Sequence, residues 1–365
     1  MEIKVITRHA PVNYGSVLQA FATIKILEKL GHNAYIIDYR RKSAYSLKNL
    51  LTQIKLSSGI KNVLFSVLRA FFISFEHRNV EKKFEKMREH YLKLTDVYYS
   101  CNEIVNLEAD CFVTGSDQVW GIDRYDETYF LPFVTDRKKI AYSASFGKSQ
   151  IAEKHFDKYT KWLKQYSHIT VRENTAVDIL NKMGIDCLGV VLDPVLLLTR
   201  EEWNDFVNED NDDTSCDNKL LVYYLHNNPE LREYVRNFSK SRNVKYATMS
   251  ATWHHLISGG DKIFAPELKD FIKTIKHCKY LVTDSFHGTV LAILFNKRFS
   301  VILPKDGTGT RIKSILEMTN LENRIITNLN DFSVVEREID YNPVNEIIAK
   351  ERERSIKLLD MMIKN

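Results

Sequence analysis

The sequence has little that would tie it to redox, metal or membrane-spanning work. Its five cysteines, at 101, 111, 187, 216 and 278, are scattered, odd in number and free of CxxC spacing. That pattern argues against a disulfide frame or a zinc site and fits reduced thiols in a cytosol. The doublet His254-His255 has no nearby Cys or acid to complete a ligand set, and adjacent side chains point apart, so no metal and no cofactor are expected. The start, MEIKVITRHAPVNYG, has neither a long apolar core nor a small-residue cleavage site, so no secretory leader is expected. The most apolar run, VLFSVLRAFFISF at 63–75, is too short to span a bilayer and is interrupted by Arg69. There is no GxGxxG, no low-complexity tract and no internal repeat.

What is present is the composition of an ordinary globular protein, 44% hydrophobic and 27% charged. At 365 residues, two domains are the natural expectation. The net charge is only +5, but residues 42–93 carry eleven Lys+Arg against four Asp+Glu, a net of +7. A nucleic-acid partner is not expected, since the excess is modest and no recognition motif accompanies it. Two readings of the basic segment stand. It is a pair of helices packed on the N-terminal domain, or a face that lies on an anionic membrane.

Strand and helix patterns alternate along most of the chain. Ile3–Ile6 reads as a strand, followed by a polar loop and a helix from Val17 to Leu30 that Gly31 would end. Asn33–Asp38, Cys111–Thr114, Lys139–Phe146 and Ile169–Val171 continue the first series, which stops at Asp193-Pro194. A second series opens at Leu220. The expected division is an N-terminal α/β domain over 1–193 with a basic helical insertion at 42–105, a C-terminal α/β domain over 194–340, and a helix at 341–365 packing back on the first domain. Both domains are Rossmann-like, and their strand ends would face a cleft, the usual place for a ligand.

The most informative stretch is KYLVTDSFHGTVLAILFNKRFSVIL at 279–303. A polar knot lies between two apolar strands and opens a helix. Ser285 suits an N-cap, and His287 falls in the first turn among free backbone N–H groups, a place for an anion. Gly288 would leave its N–H open to that anion, and Phe286 would shield it. Asp284 either orients the His287 ring or caps the strand end. Arg172 sits at a strand end in VREN, as a ligand for an anion or in an ion pair with Glu173 or another acid. In the first βαβ unit, Asn13, Gly15 and Ser16 stand at the loop-to-helix junction, with Ser16 as a cap. Ser116, Asp117 and Gln118 follow a strand. These six offer groups for sugar hydroxyls. Trp120 either stacks on a sugar or belongs to the core.

NYGSVLQAFA at 13–22, GHNAYIIDYR at 31–40, VTGSDQVW at 113–120, YSASFG at 142–147, VREN at 171–174, LDPVLLL at 192–198 and TDSFHGTVLAILFNKRF at 283–299 occur in this order. Together they resemble the polysaccharide pyruvyl transferase family. The resemblance implies a GT-B-like fold and a cytoplasmic enzyme of cell-surface polysaccharide synthesis. Such an enzyme transfers a pyruvyl group from phosphoenolpyruvate to two hydroxyls of a sugar, giving a cyclic ketal, with phosphoenolpyruvate as co-substrate. It associates His287 and Arg172 with that donor. Family members often have Arg two positions before the His, where this chain has Ser285. Lys305 and Arg311, in the loop PKDGTGTR, are the candidates to supply the missing cation, unless that loop is simply solvated.

The chemistry fits these residue types. The donor carries a carboxylate and a phosphate, both suited to bidentate Arg. Its methylene carbon needs a proton, and His delivers one near neutral pH. A helix N-terminus disfavours an imidazolium by about 0.3–1 kcal/mol. A phosphate charge ~5 Å away, at an effective dielectric of ~20, favours it by roughly 3 kcal/mol, so the anion would win. The expected partner is a sugar or oligosaccharide, lipid-linked in one version, with a peripheral contact at the inner face of a membrane. Two other readings fit the same architecture: a nucleotide-sugar glycosyltransferase and a non-catalytic sugar-binding protein.

Overall fold

In the computed structural model of the protein, residues 1–41, 60–104, 106–208, 216–226, 228–252, 256, 259–304 and 307–365 are described. Within 60–91, the described side chains are those of 66, 67 and 70–91. Lys305, His254, His255 and the stretch 42–59 lie outside the described residues.

The first half runs β1 (Glu2–Ile6), α1 (Tyr14–Lys29), β2 (Asn33–Tyr39), α2 (Ile60–Tyr91), β3 (Leu94–Tyr98), β4 (Cys111–Thr114), β5 (Lys138–Ala144), α3 (Phe156–Leu163), β6 (His168–Val171) and α4 (Asn174–Lys182). Its strands form one parallel sheet in the order β3-β2-β1-β4-β5-β6. After α5 (Arg200–Val207) come β7 (Leu220–Tyr223), α6 (Pro229–Arg242), β8 (Tyr246–Ser250), β9 (Asp261–Phe264), α7 (Leu268–His277), β10 (Tyr280–Thr283), α8 (Phe286–Leu294), β11 (Phe299–Val301) and α9 (Thr310–Met318). These strands make a second, separate parallel sheet, β11-β10-β7-β8-β9. β4, β7 and β10 are buried along their whole length, as strands covered by helices on both faces must be. Short α10 (Ser333–Glu336) precedes α11 (Tyr341–Lys364).

The two units meet over an apolar contact. Tyr14, at the start of α1, stacks on Phe271 of α7 at 4.1 Å between ring centroids, and its hydroxyl donates to the Pro266 carbonyl at 2.6 Å. α11 bridges them again. The Tyr341 hydroxyl donates to the Lys297 carbonyl, Ser355 Oγ accepts from the Leu192 N–H at 3.1 Å, and Lys138 Nζ donates to the Ile363 carbonyl at 2.9 Å.

Two local readings are corrected. The span 42–105 is not wholly helical after α2, because Leu94–Tyr98 pairs with β2 as the edge strand of the first sheet. Its register break and half-exposed pattern gave no clear alternation to read. α1 begins at Tyr14, so its cap is Asn13, whose side chain accepts from the Gly15 N–H at 2.8 Å. Ser16 lies inside the helix and its Oγ turns to Asp117, at 3.3 Å.

Candidate functional site

The two sheets bring their carboxyl ends together at one spot. From the first come Asp117, in the loop after β4, Arg172, directly after β6, and Asp193. From the second come Phe286 and His287, in the first turn of α8, and Arg311, in the first turn of α9. Arg172 donates one guanidinium nitrogen to Asp193 Oδ2 at 2.7 Å and directs the other at Asp117 Oδ1, 3.4 Å away. His287 Nε2 lies 3.6 Å from the same Asp193 oxygen, an ion-pair distance too long for a hydrogen bond. Arg311 approaches Asp117 Oδ1 at 3.5 Å. The Phe286 ring lies beneath both guanidiniums, 4.5 Å from Arg172 and 5.7 Å from Arg311, in the range of cation–π attraction.

The close fit is written into the backbone. A Cβ on Gly15 would stand 2.0 Å from His287 Nδ1, so any side chain here would have to displace the His287 ring. Asp117 has φ 81°, a left-handed conformation seldom adopted by residues other than glycine. The residue is held there by its contacts, since Oδ1 also accepts from the Gln118 N–H at 2.8 Å. Such strain collects at functional sites.

Burial and charge compete throughout. Burial alone would push the Asp193 carboxyl up, but His287 and Arg172 hold it well below the usual carboxylate range. Asp117 follows the same pattern, with burial outweighed by Arg172, Arg8, Arg311 and His287. Burial opposes the charge on Arg172, and Asp193, Asp117 and Glu173 overcome it, leaving its pKa raised. Arg311 differs: burial and the neighbouring Arg172 charge push it down to about 10. Burial raises the Glu173 carboxyl despite Arg172 and Arg311. The buried Nε atoms of Arg172 and Arg311, His287 Nε2 and Glu173 Oε2 make no hydrogen bond. Unspent donors on two guanidiniums, held on one ring, are what an anion with two charged ends would use.

Each sequence-derived site residue other than Lys305 can now be placed. Arg172, His287, Phe286, Arg311, Gly15, Ser16 and Asp117 share the spot. Ser116 is beside it but buried, donating to Asp193 Oδ2 at 3.0 Å and accepting from Arg172 at 3.3 Å. Asn13 is occupied as the cap of α1, and the Gln118 carbonyl accepts from Arg8 at 3.3 Å. Ser285 caps α8 through the Gly288 N–H at 3.2 Å. That N–H is therefore not open to an anion, and Gly288 serves packing, since a Cβ would come within 2.7 Å of Thr283 Oγ1. Asp284 does not orient His287; it accepts from the backbone N–H groups of Leu225 and His226, at 2.8 and 3.3 Å, and ties β10 to the end of β7. Trp120 is fully buried against Phe130 and Phe146, a core residue. Arg172 makes no hydrogen bond to Glu173, whose Oε1 accepts from Ser145 Oγ at 2.8 Å; the ion-pair reading is met by other acids, Asp193 at 2.7 Å and Asp117 at 3.4 Å. Asp193, the hub of the site, went unrecognised in the sequence, where Asp193-Pro194 read only as a boundary. Its signal was its place in LDPVLLL, directly after an apolar strand-like run.

The model of the family described as polysaccharide pyruvyl transferase matches residues 13–306. No curated protein matches the sequence. Among solved structures, the chain is similar to the UDP-GlcNAc 2-epimerase of Methanocaldococcus jannaschii in complex with UDP-GlcNAc and UDP. That likeness has a TM-score of 0.54 at 13% identity and covers 98% of this chain and 99% of that one. The UDP-GlcNAc 2-epimerase of Neisseria meningitidis bound to UDP-GlcNAc gives a TM-score of 0.52 at 9% identity, with full coverage of both chains. At these identities the likeness establishes the fold, two Rossmann-like domains in the GT-B arrangement. With the family model covering most of its length, the chain belongs to the polysaccharide pyruvyl transferase family.

Proposed function

We propose that the protein transfers a pyruvyl group from phosphoenolpyruvate to two hydroxyls of a sugar, forming a cyclic ketal on a cell-surface polysaccharide or its lipid-linked precursor. The observation that carries this reading is the meeting of Arg172 and His287, one from each domain, on the carboxylate of Asp193, with Arg311 beside them. Two guanidiniums match a donor with a carboxylate at one end and a phosphate at the other. In this reading Arg311, in the first turn of α9, supplies the cation that Ser285 does not.

In the reaction His287 gives a proton to the donor's methylene carbon, which becomes a methyl group, and the adjacent carbon becomes electrophilic. One sugar hydroxyl adds to that carbon and returns its proton to His287. Phosphate then leaves, and the second hydroxyl closes the ring, its proton going to the departing phosphate. The Arg172 and Arg311 charges balance the phosphate as it leaves. Arg172, His287 and Asp193 are each at most 5% exposed, so donor entry requires the domains to separate. Donor charge then replaces that of Asp193 between Arg172 and His287.

Phosphate release from phosphoenolpyruvate with a panel of glycosides tests the proposal, beside the same panel with UDP-sugars. Release that depends on both donor and glycoside is the expected result. Sugar transfer from a UDP-sugar with no use of phosphoenolpyruvate would favour the glycosyltransferase reading instead.

A further inference from the structure

α2 is 32 residues long, about 48 Å at 1.5 Å per residue, and only part of it serves the core. Val80, Phe84 and Met87 are buried, Phe84 lies 4.9 Å from the Tyr14 ring, and Arg88 donates to the Ala10 carbonyl at 3.0 Å. Toward the other end, Phe71, Phe72 and Phe75 are 53%, 62% and 68% exposed, and no other described phenylalanine is exposed. Phe71, Phe75, Arg78, Lys82 and Lys86 recur at i, i+4, i+7, i+11 and i+15, so they share one face. Arg78, Lys82 and Lys86 are exposed on it. Glu81 and Glu85, which flank this face, are engaged by His77 at 3.5 Å and Arg40 at 2.5 Å, and exposed Glu89, at i+18 on the face, lies about four turns beyond Phe75.

We propose that this face of α2 docks on a bilayer containing anionic lipid, with the Phe71, Phe72 and Phe75 rings at the acyl boundary and Arg78 and Lys82 on the headgroups. Aromatic rings beside cations are the composition of a helix that lies in a membrane interface. Charge decides between this and a second copy of the chain. The exposed charges of the face next to the rings are Arg78 and Lys82, with Lys86 one turn beyond, so pairing this end of the face with itself brings like charges together, whereas an anionic surface neutralises them. Among the described residues no helix is long and apolar enough to cross a membrane, so α2 lies on the surface. The proposal does not rest on the identity of the donor, and its test needs no turnover.

The test is co-sedimentation of the whole protein with phosphatidylcholine vesicles and with vesicles of phosphatidylcholine and phosphatidylglycerol. Pelleting only with the mixture is expected, with release in 1 M salt, where the screening length is about 3 Å. Phe71→Ser/Phe72→Ser/Phe75→Ser should lower the partition coefficient about tenfold or more. Arg78→Gln/Lys82→Gln should lower it roughly 25-fold, at about fivefold for each cation near the surface. Both variants should melt with the wild type, because the side chains are exposed. Pelleting of the variants equal to wild type, or no pelleting of wild type, would overturn the proposal. A wild-type dimer that the triple Phe variant turns into a monomer, with neither form binding vesicles, would assign the face to a second copy.

Discussion

Among the described residues there are two buried pairings of a histidine with an aspartate, built differently. In the first, His9 is fully buried, its Nε2 is 3.0 Å from Asp38 Oδ1, and its Nδ1 is 3.2 Å from the Thr7 carbonyl. Asp38 also accepts from Arg40 at 2.9 and 2.8 Å. Every polar atom of the His9 ring has a partner at hydrogen-bond distance. In the second, His287 Nε2 stops at 3.6 Å from Asp193, and a glycine rather than a side chain faces its Nδ1. A satisfied buried network rigidifies a fold. An unsatisfied ring, bordered by guanidiniums with unspent donors, costs stability and keeps the capacity to move a proton. The first pair holds the ends of β1 and β2 together; the second is the candidate site.

The largest expected effect separates the two directly. His287→Ala should reduce donor-dependent phosphate release by roughly 10²–10⁴-fold, the usual contribution of a general acid, with a smaller loss of stability than at His9 because its ring makes no hydrogen bond to Asp193. His9→Ala should do the reverse. It breaks a buried pair, which costs about 3–5 kcal/mol, and the protein that remains folded should keep the wild-type KM for the donor. Urea titration beside a phosphate-release assay reads both.

Next in size, Arg172→Ala should raise the donor KM about 30-fold or more, since truncating one member of a buried charge pair costs about 2–5 kcal/mol. Arg172→Lys should recover only part of this, because the planar fork is lost. An equal KM for the Lys variant would mean that a single point charge suffices.

The carboxylates sharpen the comparison through pH. Burial raises the Asp38 carboxyl, but hydrogen bonds from His9 and Arg40 bring it down to about 2. A depressed folded-state value contributes stability that is complete above the ordinary Asp pKa of ~3.9 and is lost as pH falls toward 2. The loss should be about 2.5 kcal/mol in acid unfolding curves, and Asp38→Asn should flatten it. Asp193 and Asp117 are lowered in the same direction and add to the same acid loss. Asp193→Asn should also lower phosphate release, whereas Asp38→Asn should leave it unchanged in the folded protein.

The smallest effect is at Gly15. A methyl group there must displace the His287 ring, so Gly15→Ala should lower turnover about tenfold and cost about 1–3 kcal/mol as an overpacked contact. Unchanged turnover would show that the ring tolerates movement and that its fit against α1 is only packing.

Much of this arrangement was legible in the sequence, for identifiable reasons. Apolar, β-branched runs such as Leu220–Tyr223 and Tyr280–Thr283 announce strands buried on both faces, and the polar knots after Thr114, Val171 and Thr283 mark their carboxyl ends. Strand-end logic was enough to bring Arg172 and His287 to one place. It was not enough for Asp193, which follows only the isolated bridge at Val190. Nor did it assign the partners of Asp284. That carboxylate turns to the N–H groups of residues 225 and 226, nearly sixty positions away, and local spacing carries no trace of such a contact. The spending of the Gly288 N–H on Ser285 is local, but an N-cap residue and an open anion site look alike until the Oγ rotamer is known.

The most direct measurement of the central claim, that Arg172 and His287 act on one anionic donor in different roles, is a calorimetric titration with phosphoenolpyruvate. It is made on the wild type, His287→Ala and Arg172→Ala, each paired with its rate of phosphate release in the presence of an accepted glycoside. The account predicts that His287→Ala binds the donor within a few-fold of wild type while turnover is lost, and that Arg172→Ala loses binding. A folded His287→Ala protein that releases phosphate at the wild-type rate would contradict it.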